Sequence, residues 1–336
     1  MNPDRRTFLQ TTGAAALAGA LSAKAALQAP SGEDKFGKIL PTRVLGKTGL
    51  EVTNYCAGGS HIGRMDEGDA KKIIDRYIER GVRFFDTAVA YKQGRSERYY
   101  GEHLTPKYRD HIKLFSKSLA KDAKGVRKHV EESLQRCKTD YFDIYFIHSI
   151  ESPEDVESRL KNGVYDELVK MKREGHIKHI GFSGHTDYNA HKRLLAEKLP
   201  ELEVCMLPFN VADPSYESYI LNVVPELNKQ NFGIIAMKTL AGSGLFGVHP
   251  FNNTGKVGAQ VIPEKLSVAE ALRFALSGPI TSVVNGVENL EQLDENLDTF
   301  WNHTPMPEEE RARLVKLVEE EGRTGVMEYF KAQGKA

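Results

Sequence analysis

The sequence predicts an α/β fold of the (β/α)8 barrel type, with an extra helix after the last strand. Apolar runs of strand length alternate with amphipathic helical segments, which is the pattern of parallel βα units. Of the 336 residues, roughly 300 follow the first segment, enough for a barrel of about 250 residues with extensions. Single ionisable residues follow several strand-like runs, as expected at the catalytic face of such a barrel.

Eight barrel strands are expected, near Tyr55, Phe85, Phe115, Tyr145, Gly181, Met206, Ile235 and Val283. The segments between them carry an apolar stripe at helical spacing, and several end at glycine. They include residues 67–81, 123–137, 164–175, 267–278 and 289–301. A last helix beginning near Pro305 is expected to pack outside the barrel. Residues 243–266 lack periodicity and are too long for an ordinary connection, which predicts a functional loop over the site.

We divide the chain into residues 1–30, an export signal with its linker, and residues 40–330, the barrel. Arg5 and Arg6 stand side by side in DRRTFLQ, before the mildly apolar TTGAAALAGALSA and an Ala-x-Ala site at 23–25. This pattern predicts twin-arginine (Tat) export, with the Tat machinery as a partner and a periplasmic or exported location. The alternative is a disordered or helical cytoplasmic tail. The apolar stretch is shorter than the ~20 residues of a membrane span, so no stable membrane anchor is expected.

Charge and cysteine content argue against several classes of protein. Lys plus Arg and Asp plus Glu both number 46, so neither nucleic-acid nor anionic-membrane binding is expected. Cys56, Cys137 and Cys205 lie far apart without Cys-x-x-Cys spacing, which predicts no metal site and no dense disulfide framework. One disulfide stays open, although Cys56 and Cys205 fit core positions. A small-molecule substrate is the default.

Four residues with complementary chemistry follow strand-like runs in FFDTAVAY, KLFSKS and DIYFIHS: Asp86, Tyr91, Lys117 and His148. A tyrosine has a pKa near 10, and a neighbouring ammonium such as Lys117 would favour its phenolate. Asp86 would keep that ammonium charged in a cleft, and His148 would orient a substrate oxygen or share the proton. Each residue alone has a structural explanation, such as a turn cap or core packing. Together, at strand ends, they predict a proton-transfer site.

These segments resemble the aldo-keto reductase superfamily, from about Arg43 to Phe300. RVLGKTGLEVTNYCAGG is similar to its amino-terminal β-hairpin and first strand, GVRFFDTAVAY to its second strand and DYFDIYFIHS to its fourth. IKHIGFSGH, VCMLPFN and GVENLEQLDENL resemble later strand and cofactor segments. The resemblance implies NAD(P)H-dependent reduction of an aldehyde or ketone to an alcohol, or the reverse. It makes the four residues a catalytic tetrad with Tyr91 as the general acid.

The resemblance also implies contacts to NAD(P)H. Ser183 and Asn210 would lie near the nicotinamide carboxamide and Lys238 near phosphate oxygens. The full expected set is Ser183, Asn210, Lys238, Leu240, Gly242, Gly244, Gly286, Gln292, Glu295 and Asn296. Gly242, Gly244 and Gly247 match the dinucleotide fingerprint, but Pro250 and further helix breakers follow, so a Rossmann interpretation is rejected. In the family this loop lies over the cofactor pyrophosphate; a surface loop without that contact is the alternative.

Two departures from the family pattern concern the nicotinamide: Met206 replaces a frequent Gln, and Met237 replaces a frequent aromatic ring. Glu288 and Gln292 occupy positions that often carry the basic residue for a 2′-phosphate. We therefore expect NADH to be tolerated or preferred, with Lys238 as the opposing feature. Pocket roles for His61, Tyr216 and Trp301 are left open.

Two other functions remain open at this point. One is a non-catalytic, nucleotide-binding, redox-sensing partner subunit on the same fold. The other is an unrelated barrel that binds or hydrolyses sugars, which would need a carboxylate pair across its mouth. Because free NAD(P)H is not expected outside the cytoplasm, an exported reductase would need a tightly held nucleotide.

Overall fold

The computed structural model describes residues 32–248 and 260–331, and it confirms the (β/α)8 barrel. Eight parallel strands close into a barrel in which the first and last are neighbours. They are β5 (Tyr55–Ala57), β6 (Phe84–Asp86), β7 (Lys113–Ser118), β8 (Phe142–Ile147), β9 (Ile177–Ser183), β10 (Leu202–Pro208), β11 (Gly233–Met237) and β12 (Ser282–Asn285). Every strand centre expected from the sequence falls inside one of them.

Two antiparallel pairs precede the barrel, namely β1 (Glu33–Asp34) with β2 (Gly37–Lys38) and β3 (Thr42–Val44) with β4 (Glu51–Thr53). The predicted hairpin is the second pair. Its Leu45 and Val52 are buried against the inward-facing side chains of the barrel strands. A Cβ at Gly46 would lie 2.2 Å from the backbone nitrogen of Gly233, the first residue of β11. The hairpin therefore closes the amino-terminal end of the barrel and leaves the opposite end open for a site.

Helices connect the strands and cover the barrel. They are α1 (Gly59–Ile62), α2 (Glu67–Glu79), α3 (Arg95–His103), α4 (Thr105–Tyr108), α5 (Ala123–Cys137), α6 (Pro153–Lys161), α7 (Val164–Arg173), α8 (Tyr188–Ala196), α9 (Tyr219–Asn222), α10 (Val224–Lys229), α11 (Val268–Leu276), α12 (Leu290–Trp301), α13 (Glu308–Leu317) and α14 (Glu319–Gly322). Short 3₁₀ helices include Tyr329–Lys331 and Ala241–Phe246, the second interrupted by left-handed residues at Gly242 and Ser243. The expected extra carboxy-terminal helix is present, divided into α13 and α14 at Val318, whose φ of −110° is not helical.

Helix α5 shows why these segments fold as the sequence indicates. The Asp122 side chain accepts a hydrogen bond from the Gly125 amide at 2.7 Å and caps the helix at its start. Val126 and Val130 bury the apolar stripe, and Lys138 ends the helix in the left-handed conformation. Helix α11 begins with a capping box between Ser267 and Glu270. Local capping and one apolar face thus determine where the helices lie.

The expectations for the export signal, the long loop, the cysteines and membrane-spanning segments concern regions other than the barrel strands. The expected export signal, residues 1–30, lies outside the described residues, as do residues 249–259 of the expected functional loop. Cys56, Cys137 and Cys205 are buried free thiols. Within residues 32–248 and 260–331, no helix combines the length and apolar character needed to cross a membrane.

Candidate active site

A cavity of about 500 Å³ opens at the carboxy-terminal end of the barrel. All eight strands or the loops directly after them contribute to it: Ser60 and His61 after β5, Tyr91 after β6, Lys117 in β7, His148 after β8, Ser183 at the end of β9, Met206 in β10, Lys238 after β11, and Asn285 and Gly286 at β12. Its volume lies in the range of small-molecule and cofactor pockets, about 300–1,000 Å³.

The two-residue period of the strands explains how the ionisable groups reach this cavity. Phe84, Phe115 and Phe146 belong to the aromatic core inside the barrel. Asp86, Lys117 and His148 each follow one of these rings by two residues, so they share the inward face one layer higher. The strand register supports this, since Asp86 pairs with Phe115 and Lys117 pairs with Phe146. The same alternation that fills the core therefore delivers an acid, an amine and an imidazole to its open end.

Tyr91 reaches the site from the loop after β6. The amide of Val89 donates to the Lys117 carbonyl at 3.2 Å, which ties this loop to β7. The Tyr91 amide donates to the Ala88 carbonyl at 3.0 Å, and the chain then turns through three left-handed residues, Lys92, Gln93 and Gly94. This turn directs the chain into α3 and leaves the phenol at the cavity wall.

The Lys117 ammonium is the centre of the polar cluster. Its Nζ donates to the Asp86 carboxylate, to the Thr87 carbonyl at 2.7 Å and to the Tyr91 hydroxyl at 3.0 Å. All three donors of the ammonium are thus satisfied. Lys117 and Asp86 are only 1% and 3% exposed. Removing either charge would leave the other buried without its partner, which typically destabilises a protein by ~3–5 kcal/mol.

Burial and charge together set the protonation of this cluster. Burial and the Asp86 charge raise the pKa of Tyr91 to about 12, and the opposing effect of Lys117 is smaller. Burial lowers the pKa of Lys117, but Asp86 and Tyr91 more than offset it, so that pKa lies above its ordinary value. The sequence argument that Lys117 favours the phenolate is therefore incomplete, because burial dominates. At neutral pH Tyr91 keeps its proton and Lys117 stays charged.

His148 faces Tyr91 across the cavity, with its ring edge-on at 6.1 Å between centroids. Burial, and then the Lys117 charge, hold its pKa well below the ordinary value, so the imidazole is neutral. Its Nδ1 has no hydrogen-bond partner among the described residues. A neutral imidazole that carries one N–H can donate a hydrogen bond to an oxygen placed in the cavity.

Arg159, which sequence reasoning missed, holds the backbone at His148. Its guanidinium donates to the carbonyls of His148 at 3.0 Å and Ser149 at 3.1 Å. Asp155, one turn earlier on α6, accepts from its Nε at 3.0 Å. Arg159 is 2% exposed, and Ser149 has a left-handed φ of 52°. The helical i, i+4 spacing of Asp155 and Arg159, just after His148, is the sequence signal that would have found this pair.

The structure divides the residues that the resemblance implies for the nucleotide into two groups. Those that line the cavity with Tyr91, Lys117 and His148 are Ser183, Lys238, Leu240, Gly242 and Gly286, whereas Asp86 lies behind Lys117 and is not in the lining. Burial, and then the nearby Arg64 charge, lower the pKa of Lys238 to about 8. The other five are not in the cavity lining: Asn210, Gly244, Gln292, Glu295 and Asn296.

The second group has structural contacts of its own. The Asn210 amide donates to the Lys238 carbonyl at 3.1 Å and to Glu328 at 2.8 Å. Gly244 packs so closely that a Cβ there would lie 1.8 Å from the Met327 carbonyl oxygen. Gln292 accepts at 3.0 Å from the amide of Glu288, a residue that does line the cavity. Their roles toward a nucleotide stay predictions.

Other positions that the sequence left open are now located. His61 lines the cavity, whereas Trp301 and Tyr216 are not part of the lining. The Trp301 indole donates to the Arg80 carbonyl at 3.1 Å. Met206 and Met237 line the cavity at the positions where the family often has other side chains. Further lining residues that sequence reasoning missed are Arg64, Ser149, His185 and Tyr329. They come from loops and the chain end, which no strand periodicity marks.

Comparison with known proteins gives a consistent result. The uncharacterized oxidoreductase YqkF of Bacillus subtilis is 26% identical over 303 residues, covering 80% of this chain and 93% of that protein. The L-galactose dehydrogenase of Arabidopsis thaliana is 28% identical over 282 residues, covering 76% of this chain and 86% of that protein. Among solved structures, the holo form of the aldo-keto reductase AKR11C1 from Bacillus halodurans has a TM-score of 0.69 at 23% identity, covering 82% of this chain and 95% of that one.

The family assignment depends on a profile that spans more than half of the chain. Residues 54–261 match the profile of the Aldo/keto reductase family. The match begins just before β5, the first barrel strand, and includes Asp86, Tyr91, Lys117 and His148. The barrel topology and the cluster around Lys117 agree with it. The chain therefore belongs to the aldo/keto reductase family of oxidoreductases.

Proposed function

We propose that this protein is an NAD(P)H-dependent oxidoreductase that reduces an aldehyde or ketone to an alcohol, or catalyses the reverse oxidation. Tyr91 is the general acid of the reduction. The observation that carries the proposal is the chain of contacts from Asp86 through Lys117 to the Tyr91 hydroxyl at the wall of the cavity. A buried phenol that keeps its proton beside a fixed ammonium is suited to donating that proton to an oxygen that gains negative charge.

The cavity lining fits a nicotinamide nucleotide. Arg64 and Lys238 are cations on the wall, which suits phosphate groups. Ser183 offers a hydroxyl, and the nearby His148 Nδ1 is buried without a partner among the described residues. When bound, the reduced nucleotide would supply the hydride that the carbonyl carbon accepts.

The residues of the chain supply the proton and its control. As the carbonyl carbon gains hydride, its oxygen becomes an alkoxide and takes the proton from the Tyr91 Oη. The remaining phenolate is stabilised by the Lys117 ammonium at 3.0 Å and later regains a proton from solvent. Neutral His148 donates a hydrogen bond that orients the carbonyl oxygen. Asp86 keeps Lys117 charged in both states of the phenol.

The substitution Tyr91→Phe tests the proposal. It removes the proton donor and keeps the ring, so kcat should fall by about 10²–10⁴-fold while the nucleotide dissociation constant is unchanged. Steady-state kinetics on a carbonyl panel and fluorescence titration of NADH and NADPH measure these quantities. The panel includes hydroxylated sugars, because one relative is named L-galactose dehydrogenase.

Tyr99→Phe is the matched control. Tyr99 lies on α3, outside the cavity lining, and its hydroxyl donates to the Met65 carbonyl at 3.4 Å. It should keep wild-type turnover. Equal turnover of wild type and Tyr91→Phe would refute the assigned role. A wild-type protein that binds nucleotide but turns over no carbonyl would instead support the redox-sensing partner subunit.

We further propose that NADH is tolerated or preferred. Glu288 lines the cavity, and a carboxylate there repels the 2′-phosphate of NADPH. Lys238 and Arg64 oppose this effect. Dissociation constants of NADH and NADPH for the wild type and Glu288→Gln measure the balance, and the substitution should favour NADPH. Much tighter NADPH binding by the wild type would overturn this preference.

Export through the Tat route, and with it a periplasmic location, is also a proposal, supported by Arg5, Arg6 and the Ala-x-Ala site. Replacing both arginines with lysine should retain the protein in the cytoplasm, as cell fractionation would show. Unchanged localisation would remove the proposal. An exported reductase should carry a tightly held nucleotide, and a protein purified from the periplasm without nucleotide would contradict that expectation.

A further inference from the structure

The last described residues lie outside the barrel, yet one of them, Tyr329, lines the cavity and others contact its wall. We refer to residues 327–331 as the C-terminal segment. The Tyr329 side chain lines the cavity, and its hydroxyl donates to the Gly242 carbonyl at 3.1 Å. The Phe330 ring lies 5.3 Å from the Lys238 Nζ and meets the His185 ring edge-on at 5.5 Å. Lys238, His185 and Gly242 all line the cavity.

The C-terminal segment packs against the 3₁₀ helix Ala241–Phe246, which follows β11. A Cβ at Gly244 would lie 1.8 Å from the Met327 carbonyl oxygen, so backbone meets backbone here. Any side chain at residue 244 would force the two apart. Because Gly244 has no side chain, the backbone of the C-terminal segment can contact the backbone of this 3₁₀ helix directly.

A buried ion network anchors the segment. The Lys331 Nζ donates to Asp213 at 2.7 Å and to Glu328 at 2.6 Å, and these three side chains are at most 2% exposed. The other Glu328 oxygen accepts from the Asn210 amide at 2.8 Å, and the same amide group donates to the Lys238 carbonyl at 3.1 Å. The hydrogen bonds therefore run without a break from Lys331 to the backbone of Lys238, a cation that lines the cavity.

We propose that the C-terminal segment positions the nucleotide-binding wall: the Lys331 network holds Phe330 against Lys238 and His185, and thereby sets nucleotide affinity. This inference rests on the proposed function. A buried ion pair of this kind fixes one arrangement, because any displacement leaves charge without a partner. Contact with an aromatic face restricts where the flexible Lys238 ammonium lies, and a fixed cation binds phosphate better than a mobile one. Phe330 and Lys331 are positioning residues that act through Lys238.

The test measures dissociation constants of NADH and NADPH for full-length variants by fluorescence titration. Phe330→Leu removes the ring and keeps the ion network, and it should weaken binding by about threefold to thirtyfold, the range for loss of one partly desolvated cation–π contact. Lys331→Met should weaken binding at least as much. If Lys331→Met fails to fold by circular dichroism, Phe330→Leu alone decides.

Coupling to Lys238 separates positioning from general destabilisation. In a Lys238→Met background, Phe330→Leu should have little further effect on the dissociation constant. Arg323→Met is the matched control: it removes an exposed ion pair with Glu319 just upstream and should leave affinity unchanged. Wild-type affinity in both Phe330→Leu and Lys331→Met, or additive losses with Lys238→Met, would overturn the inference. A wild-type protein that binds no nucleotide would instead overturn the proposed function, and the inference with it.

Discussion

His191 should make the stability of this protein depend on pH in a way that one substitution can remove. The ring is 0% exposed and packs between Phe182 and Tyr219, at 5.3 and 5.0 Å between centroids. Burial lowers its pKa from 6.5 to about 3. The folded protein thus keeps this imidazole neutral at pH values where the unfolded chain would protonate it.

The sign and size of the effect follow from linkage. Above pH 6.5 both states carry a neutral imidazole, and its contribution to the free energy of unfolding is fully present. As pH falls from 6.5 toward 3, the unfolded state binds the proton and the folded state does not, so stability is lost. At ~1.36 kcal/mol per pH unit, the loss at pH 5 is about 2 kcal/mol.

Replacing His191 with Met removes the titration and keeps a similar volume. The free energy of unfolding of this variant, relative to wild type, should rise by about 2 kcal/mol between pH 7.5 and pH 5. Urea denaturation followed by fluorescence of Trp301, the single tryptophan, measures it at each pH. His176→Met, which removes a half-exposed imidazole, is the control, and its relative stability should change much less. Parallel pH profiles for His191→Met and wild type would refute the reasoning.

Two further predictions concern the site and the chain end. Arg159→Met removes the donors to the His148 and Ser149 carbonyls, so kcat should fall by at least about tenfold with nucleotide affinity unchanged. Arg159→Lys should keep part of the activity. Single-turnover kinetics and nucleotide titration measure these effects, and wild-type turnover in Arg159→Met would contradict the prediction. Gly244→Ala should lower the thermal midpoint by several degrees, because its Cβ meets the Met327 backbone at 1.8 Å. Gly68→Ala is the control, because Gly68 lies in a helix and no atom lies within 4 Å of a Cβ built there. This variant should have an unchanged or higher thermal midpoint. Equal midpoints in the two variants would count against the close packing at Gly244.

The sequence was sufficient for the barrel because the signals that define it are local. Inward and outward alternation along each strand, one apolar stripe per helix and capping residues such as Asp122 and Ser267 are all readable from neighbours in the chain. The same alternation places Asp86 and Lys117 two residues after core phenylalanines, which is why their shared site was predictable. Tyr91 was predicted with them because it follows the same strand, but the strand period does not give its place at the cavity wall, which depends on the loop after β6 and its turn of three left-handed residues.

The part of the cavity wall around Lys238 was much less predictable. Asn210 carries an amide suited to a cofactor, yet its hydrogen bonds go to Glu328 and to the Lys238 carbonyl. Arg64, His185 and Tyr329 line the cavity from separate loops and the chain end, with no periodic pattern to mark them. Contacts between Asn210 and Glu328 join residues more than 100 positions apart, and no local rule gives their pairing.

By itself, then, the sequence determined the order of strands and helices and the chemical groups that face the open end of the barrel, because periodicity and capping act over a few residues. Only the tertiary structure decided which protonation states those groups hold, since burial outweighs the Lys117 charge and raises the pKa of Tyr91 to about 12. It also decided that Tyr329, in the C-terminal segment anchored by Lys331, forms part of the cavity wall, because desolvation and long-range ion pairing depend on the whole surrounding volume.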